Sequence, residues 1–459
     1  MTSGRRWLIL AICCMSLFIV TLDNTIVNMA LPAIRREFGS SLSELQWTID
    51  AYTIVLASLL ILSGSVADRI GRRRTFQAGL LLFSLGSLLC GLAPGTGPLI
   101  VFRALQAIGG SMLNPVALSI ITNTFPEPRE RANAVGVWGG VIGLSMALGP
   151  VLGGMLVDLV SWRAVFWINV PVAVLAILLV AAFVPESRAP RASRLDPLGQ
   201  TAMTILLLAL VSGIIEGPHF GWDSAPILGC FTVALATGVF FVRHEWRRDE
   251  PLLDPRLFAS RPFSGAIVIA LAAFAVLSGF LFLNILYLQS VRGFSALYAG
   301  ILTLPMAVAN GVFALVSGWF TGRIGARVPL VIAGAAMVAA TLLLTGLTAS
   351  TSTGYLVTAY LLLGIGLGMV NSPIVYTALS GMPPAQAGTA AAIAATGRQI
   401  GTALGVAVLG SILTSASTGP AQAGFLTADR ISWWIMTGAG ALILVLGLRT
   451  AGPRRSAPR

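Results

Sequence analysis

Lysine is absent from this 459-residue chain: all 29 cationic residues are arginine, set against 17 Asp and Glu. Charge of either sign is scarce, at 10% of residues, while 56% are hydrophobic. A soluble protein of this size carries about 25% charged residues, so an ordinary cytosolic enzyme is excluded. Histidine and cysteine are few as well. Cys13, Cys14, Cys90 and Cys230 lie in apolar runs without zinc-type spacing and read as small packing residues. His219 and His244 fall in different loops on opposite sides, so no metal cluster and no cofactor is expected. A net charge of +12 raises nucleic acid as a partner. Charge this sparse, spread through long apolar runs, points to a membrane instead.

What is present is apolar length. A bilayer core of about 30 Å takes roughly 20 apolar residues per helix. Fourteen stretches qualify: 7–31, 45–66, 75–94, 98–124, 133–157, 163–184, 198–216, 224–242, 263–288, 297–319, 328–348, 354–380, 388–414 and 430–448. The first is too long for a signal-peptide core, lacks an A-x-A site and contains Asp23, so it reads as a retained helix. With the N-terminus inside, the inner segments hold 22 arginines, including Arg188, Arg191, Arg194, Arg449, Arg454, Arg455 and Arg459. The outer segments hold five: Arg35, Arg36, Arg163, Arg292 and Arg430. That asymmetry places both termini in the cytoplasm. Only Arg103 and Arg398 fall within spans.

The chain repeats itself. Gly64, Arg69, Ile70, Gly71 and Arg73 in the loop after span 2 match Gly318, Arg323, Ile324, Gly325 and Arg327 after span 10, at a constant offset of 254 residues. Spans 9–14 thus read as a second copy of spans 1–6, with two spans inserted between. The expected organisation is an all-α membrane protein with a six-helix bundle over 1–184, inserted helices and their loops over 185–262, a second bundle over 263–448 and a tail over 449–459. Two six-helix halves around a central path is the plan of many secondary transporters.

At this point the residues carry a family resemblance. Gly64 to Arg74 resembles the signature between helices 2 and 3 of the major facilitator superfamily. Leu22-Asp23-Asn24-Thr25-Ile26-Val27-Asn28 through Pro32 resembles the helix-1 signature of its 14-helix drug:proton antiporters. Arg103 through Gly110 is similar to the helix-4 motif, and Gly143 through Gly149, Pro150, Gly153 and Gly154 to the helix-5 antiporter motif. Arg398 through Gly405 in span 13 is similar to that family too. The resemblance covers essentially the whole chain. It implies two bundles with two added helices, proton-coupled export of amphipathic drugs, and an inter-bundle latch at Asp68, Arg69, Arg72 and Arg73.

The residues also speak for themselves. Asp23 lies about 16 residues into its span, roughly 24 Å along at 1.5 Å per residue. Holding a carboxylate inside a bilayer costs on the order of 2.5–3.5 kcal/mol, so the default reading is functional. It is either a proton carrier or a structural acid between helices. Arg103 comes to a similar depth on span 4, which runs the other way, and is either a partner of Asp23 or a static clamp. Arg103, Gln106, Gly110 and Asn114 share one helical stripe, expected to face a central cavity. Asn24 and Asn28 share an arc of span 1; Asn310 and Arg398 are cavity candidates in the second half. Asp50 is a second candidate for protonation, or a solvated interfacial acid. The glycines of span 5, among them Gly143, Gly149, Gly153 and Gly154, have small-xxx-small spacing that lets helices approach closely, and Pro150 removes a backbone donor.

Spans 9–14 show no acid inside the membrane, with Asp429 assigned to an outer loop, so neutral, zwitterionic or singly charged compounds are the expected cargo. Partners are then small amphipathic molecules, protons and lipid, with a monomer expected. The alternative is an exporter of a lipid or endogenous metabolite. A membrane-embedded hydrolase would want Ser/His, paired Asp or HExxH groups inside spans, and none occur. A sensor would want a signalling domain beyond the short tail.

Overall fold

The computed structural model describes residues 3–188, 195–249, 251–380, 387–415 and 421–450. Arg191, Arg194, Arg454, Arg455 and Arg459 lie outside the described residues. The described chain is helical: α1 (Ser3–Phe38), α2 (Leu42–Ile70), α3 (Arg72–Gly91), α4 (Thr96–Thr124), α5 (Pro128–Leu159), the four-residue α6 (Ala164–Trp167), α7 (Asn169–Phe183), α8 (Pro197–Phe220), α9 (Ala225–Trp246), α10 (Arg261–Leu286), α11 (Ala296–Ile324), α12 (Arg327–Leu344), α13 (Thr353–Leu379), α14 (Ala387–Ser415) and α15 (Ala421–Arg449). Thirteen candidate spans among the described residues are long and apolar enough to cross a membrane. The 20-residue α3 is less apolar, since it opens on Arg72, Arg73 and Arg74 and carries Thr75, Gln77, Ser84 and Ser87.

Local chemistry sets the helix ends. Ser41 and Glu44 form a reciprocal capping box that starts α2. Asp196 accepts from the Gly199 amide at 3.0 Å to start α8. Gly71 breaks α2 from α3 at φ 130°, a backbone open to glycine. Two boundaries differ from the hydropathy reading. α1 runs to Phe38, so Arg35 and Arg36 are exposed in its last turn. α15 begins at Ala421, which places Asp429 inside a helix instead of a loop.

The helices fall into two units, residues 1–252 with 288–301, and residues 253–287 with 302–459. In the first, α3 and α4 interlock through glycine: a Cβ at Gly86 would stand 2.5 Å from Gln106 Cα, and one at Gly109 would stand 2.3 Å from the Phe83 nitrogen. Gly149 and Gly153 likewise let α5 close on Thr25, Ile26 and Met29 of α1. The hairpin α8–α9 docks on α2 through Gln200 Nε2 to the Ser58 carbonyl at 2.5 Å and Trp47 Nε1 to Glu216 at 2.8 Å. In the second unit, Gly401 and Gly405 admit the backbone of α10, and Gly334 and Gly447 close α12 on α15.

Candidate functional site

Four helices of the first unit converge on Asp23, which is fully buried in α1. Arg103 of α4, 1% exposed, donates from Nη1 to Asp23 Oδ2 at 2.6 Å and to Gln106 Oε1 at 2.6 Å. Its Nε donates to the Thr48 carbonyl of α2 at 3.1 Å. Gln106 Nε2 donates to Asp23 Oδ1 at 2.9 Å and to Ser87 Oγ of α3 at 2.7 Å. Asn169 Nδ2, at the first residue of α7, reaches Asp23 Oδ1 at 3.0 Å. The guanidinium lies 4.2 Å from the Tyr52 ring centroid and 5.8 Å from that of Phe166. The carboxylate thus has three donors and one counter-ion, shut away by aromatic faces. Such a knot is stable while charged. It loses its ion pair when Asp23 gains a proton.

Asp23 and Arg103 were expected at one level and meet; Gln106, expected on a stripe facing the central cavity, is instead bound to Asp23. Ser87, Asn169, Tyr52 and Phe166 were not anticipated; the one signal was a lone amide, Asn169, within an apolar run. Gln106 is fully buried in this knot. Asp50 is also fully buried, and neither carboxyl oxygen has a partner among the described residues. Two positions from Thr48 and from Tyr52, it lies on the side of α2 turned away from both.

The other candidates lie apart. Asn28 donates to the Asn24 carbonyl at 3.1 Å within α1. Asn114 is half-buried, its Oδ1 unpartnered among the described residues. Asn310 is buried in α11, and half-buried Arg398 rests 5.7 Å from the Phe274 ring centroid.

In the loop motif, a Cβ at Gly64 would stand 3.9 Å from that of Pro115. Arg72 donates to Asp68 Oδ1 from Nε at 3.1 Å and Nη2 at 2.8 Å, one turn apart. Arg69 is exposed. Arg73 donates from Nη2 to the Ala181 carbonyl at 2.7 Å, and its amide donates to Glu186 at 3.1 Å. A Cβ at Gly71 would collide with Glu186. The motif therefore stitches the start of α3 to the end of α7. In α5, Gly143 is half-exposed, while Gly154 meets Ala296 and the Pro150 carbonyl faces Gly300.

Two expectations need correction. His244 does not stand alone: its Nε2 lies 3.0 and 3.1 Å from the two Asp196 oxygens, with Glu245 in the same cluster and Arg248 Nε at 3.4 Å. Burial pushes the Asp196 carboxyl up, but the Gly199 amide and the His244 ring outweigh it and hold it below the usual range. The arginine already supplies the cation this group calls for. Second, the C-terminal half does contain a buried acid. Asp429 is 1% exposed in α15. The argument against dicationic cargo, which rested on its absence, falls.

Apolar helices in two units, with an acid–arginine knot sealed among them, define a helical membrane transporter rather than an enzyme. The chain belongs to the Major Facilitator Superfamily, whose model matches residues 13–406. It is 35% identical over 401 residues to the multidrug resistance protein Stp of Mycobacterium tuberculosis, covering 87% of this chain and 74% of that one. It is 37% identical to the puromycin resistance protein pur8 of Streptomyces alboniger (90% and 83% covered) and 34% identical to the multidrug efflux pump LfrA of Mycolicibacterium smegmatis (90% and 82%). In fold it is similar to a bacterial homologue of the lysosomal transporter Spinster, with TM-score 0.69, 17% identity and 97% and 96% covered. The xylose transporter XylE from E. coli gives TM-score 0.67 at 14% identity over 100% of both chains. It is a bacterial multi-pass membrane protein.

Proposed function

We propose that the protein is a proton-coupled antiporter that exports small amphipathic compounds by alternating access, with both termini in the cytoplasm. The observation that supports this most is the knot around Asp23: a buried carboxylate whose single counter-ion is Arg103. Protonation of Asp23 removes the charge that holds Arg103, Gln106 and Asn169 on it, so proton and substrate favour different states of the molecule. Asp50 is the second proton carrier of the first unit. Asn24, Asn28, Asn114, Asn310 and Arg398 offer polar contacts to cargo, with Gln106 acting through Asp23. Gly64, Asp68, Arg69, Gly71, Arg72 and Arg73 tie conformational change to α3, and Gly143 through Gly154 let α5 slide on α1. The printed names of the relatives, which concern multidrug and puromycin resistance, support drug-like cargo. Arginine placement supports the orientation.

The test is efflux of ethidium from proteoliposomes under an imposed pH gradient. Wild type is expected to respond to the gradient and Asp23→Asn not to; an equal response in both would refute the assignment.

A second reading, export of a lipid, is favoured by a groove of about 660 Å³ between α8 and α9. Leu206, Leu210, Phe231, Leu235 and Val239 line it, and Arg243 stands at one end, an arrangement suited to an acyl chain and its phosphate. Translocation of a fluorescent phospholipid in the same vesicles, with no ethidium efflux, would favour this reading.

A further inference from the structure

The buried acid of the second unit has a setting of its own. Asp429 is the ninth residue of α15, and the indole Nε1 of Trp433, one turn on, donates to its Oδ2 at 2.9 Å. Its Oδ1 has no hydrogen-bond partner among the described residues. None of the ion pairs among those residues includes Asp429, and the neighbouring Arg430 is exposed.

Register places this carboxyl within the unit. Along the α12–α15 contact, Gly447 meets Leu330, Gly334 meets Leu444, and Thr437 donates to Thr341 at 2.9 Å. Two turns further on, Asp429 comes level with the chain just after α12. On α10, the Phe280 ring lies 6.2 Å from that of Trp433, so Asn284 and Asp429, each one turn along, come level on helices that run in opposite directions. Asn284 Oδ1 accepts the Tyr360 hydroxyl of α13, and the Tyr287 hydroxyl donates to the Thr348 carbonyl at 2.6 Å. Asp429, Asn284 and Tyr360 thus occupy one end of the second unit, around Phe280.

One position of the sequence repeat ties this arrangement to the Asp23 knot. Tyr360 stands 254 residues after Gln106, the offset of the sequence repeat, and each of the two donates into a buried polar group on the first helix of its unit. The difference is the counter-ion. Asp23 has Arg103, whereas the ionisable side chains on the helices packed against α15 lie elsewhere. Arg261 and Arg327 begin α10 and α12, at the ends away from Asn284 and Thr341. Arg398 of α14 rests on Phe274, ten residues before Asn284. The tyrosines at this end of the unit, Tyr287, Tyr355 and Tyr360, already donate their hydroxyl protons, to the Thr348 carbonyl, the Leu343 carbonyl and Asn284 Oδ1. An ionised carboxylate with room for about four donors would have one among the described residues, the Trp433 indole. A proton on Oδ1 supplies the missing neutralisation.

We infer that Asp429 is a proton-binding carboxyl of the second unit, which loads and releases a proton in the transport cycle. Its place in the cycle rests on the proton-coupled reading above. The step is binding alone: the carboxylate takes up H⁺ to become the acid, and returns it.

Infrared pH-difference spectroscopy on the full-length protein in lipid bilayers tests the site. A carboxylic C=O band that grows on acidification is expected in wild type, lost in Asp429→Asn and kept in Asp23→Asn. Trp433→Phe is expected to shift the band, because the indole donor is gone. If Asp429→Asn does not assemble, Asp429→Glu reads the same band, displaced. A band left unchanged in both Asp429→Asn and Trp433→Phe overturns the proposal, whatever Asp23→Asn does. Proton counterflow per ethidium in proteoliposomes tests its place in the cycle, and is expected to decrease in Asp429→Asn. Unchanged counterflow beside a lost band overturns the role in the cycle. Wild-type efflux indifferent to the gradient overturns the coupled reading itself, and the infrared band separates that failure from a failure of the site.

Discussion

Replacing Arg103 with methionine keeps much of the buried length of the side chain and removes its charge and its hydrogen bonds. The wild-type guanidinium gives Nη1 to Asp23 and Gln106, both at 2.6 Å, and Nε to the Thr48 carbonyl at 3.1 Å. Removing one member of a buried ion pair costs about 3–5 kcal/mol, because the other charge is left behind. Single hydrogen bonds within membranes are worth far less, about 0.6 kcal/mol on average and 1.7 at most, so stranded charge is the dominant effect. Asp23 would keep Gln106 and Asn169 as donors on Oδ1, at 2.9 and 3.0 Å, which argues for the lower end, about 3 kcal/mol. Asp23→Asn strands Arg103 in the same way. The double variant strands neither charge, so its cost should fall short of the sum by about 2 kcal/mol, the worth of a charge-assisted hydrogen bond. Equilibrium unfolding in mixed detergent micelles, followed by tryptophan fluorescence, measures all four proteins. Single costs that add to within about 0.5 kcal/mol would refute the reasoning, since that is how independent sites behave.

Other positions respond by different physics. Gly109→Val should lower the thermal midpoint, since even a Cβ would stand 2.3 Å from the Phe83 nitrogen; overpacking of this kind costs about 1–3 kcal/mol, and an unchanged midpoint would show that α3 and α4 part easily. Asp68→Asn breaks a one-turn pair with Arg72 worth about 0.3–0.5 kcal/mol. Stability should barely move, and a tenfold loss of ethidium efflux, equal to about 1.4 kcal/mol, would locate the effect in transport. The Asp196 carboxyl is held low in the folded protein, so its contribution is present above the ordinary carboxylate range and is lost as pH falls through the folded value. Wild type should therefore be more stable than Asp196→Asn at neutral pH, with the gap closing below about pH 4, in thermal unfolding against pH. A gap that does not change with pH would show the contacts that hold Asp196 low to be inert.

Helix existence and the principal ion pair were legible because apolar length and membrane depth are properties of the chain taken alone. Asp23 and Arg103 met because two oppositely directed spans bring them to one level. The rest of the knot was hidden, since Ser87 and Asn169 are small polar residues whose meaning depends on which helices become neighbours. Nothing in a one-dimensional pattern reports that α3 and α7 flank the same carboxylate. Asp429 was misplaced for another reason. Thr427, Asp429 and Arg430 interrupt the apolar pattern and read as loop, yet the helix continues through them, with Asp429 capped by an indole one turn away.

The α3–α4 contact has a mechanical meaning. Gly79 faces Met112, Gly109 faces Phe83 and Gly86 faces Gln106, so the two backbones mesh over successive turns with no long side chain between them to flex. Arg72 begins α3 and Ser87 lies fifteen residues on, about 22 Å at 1.5 Å per residue. The helix is a strut between the arginine loop at one end and the Asp23 carboxylate at the other. A strut without slack transmits displacement in either direction. Movement of the loop would tug on Gln106, and a proton arriving at Asp23 would be felt at the loop as a change in load.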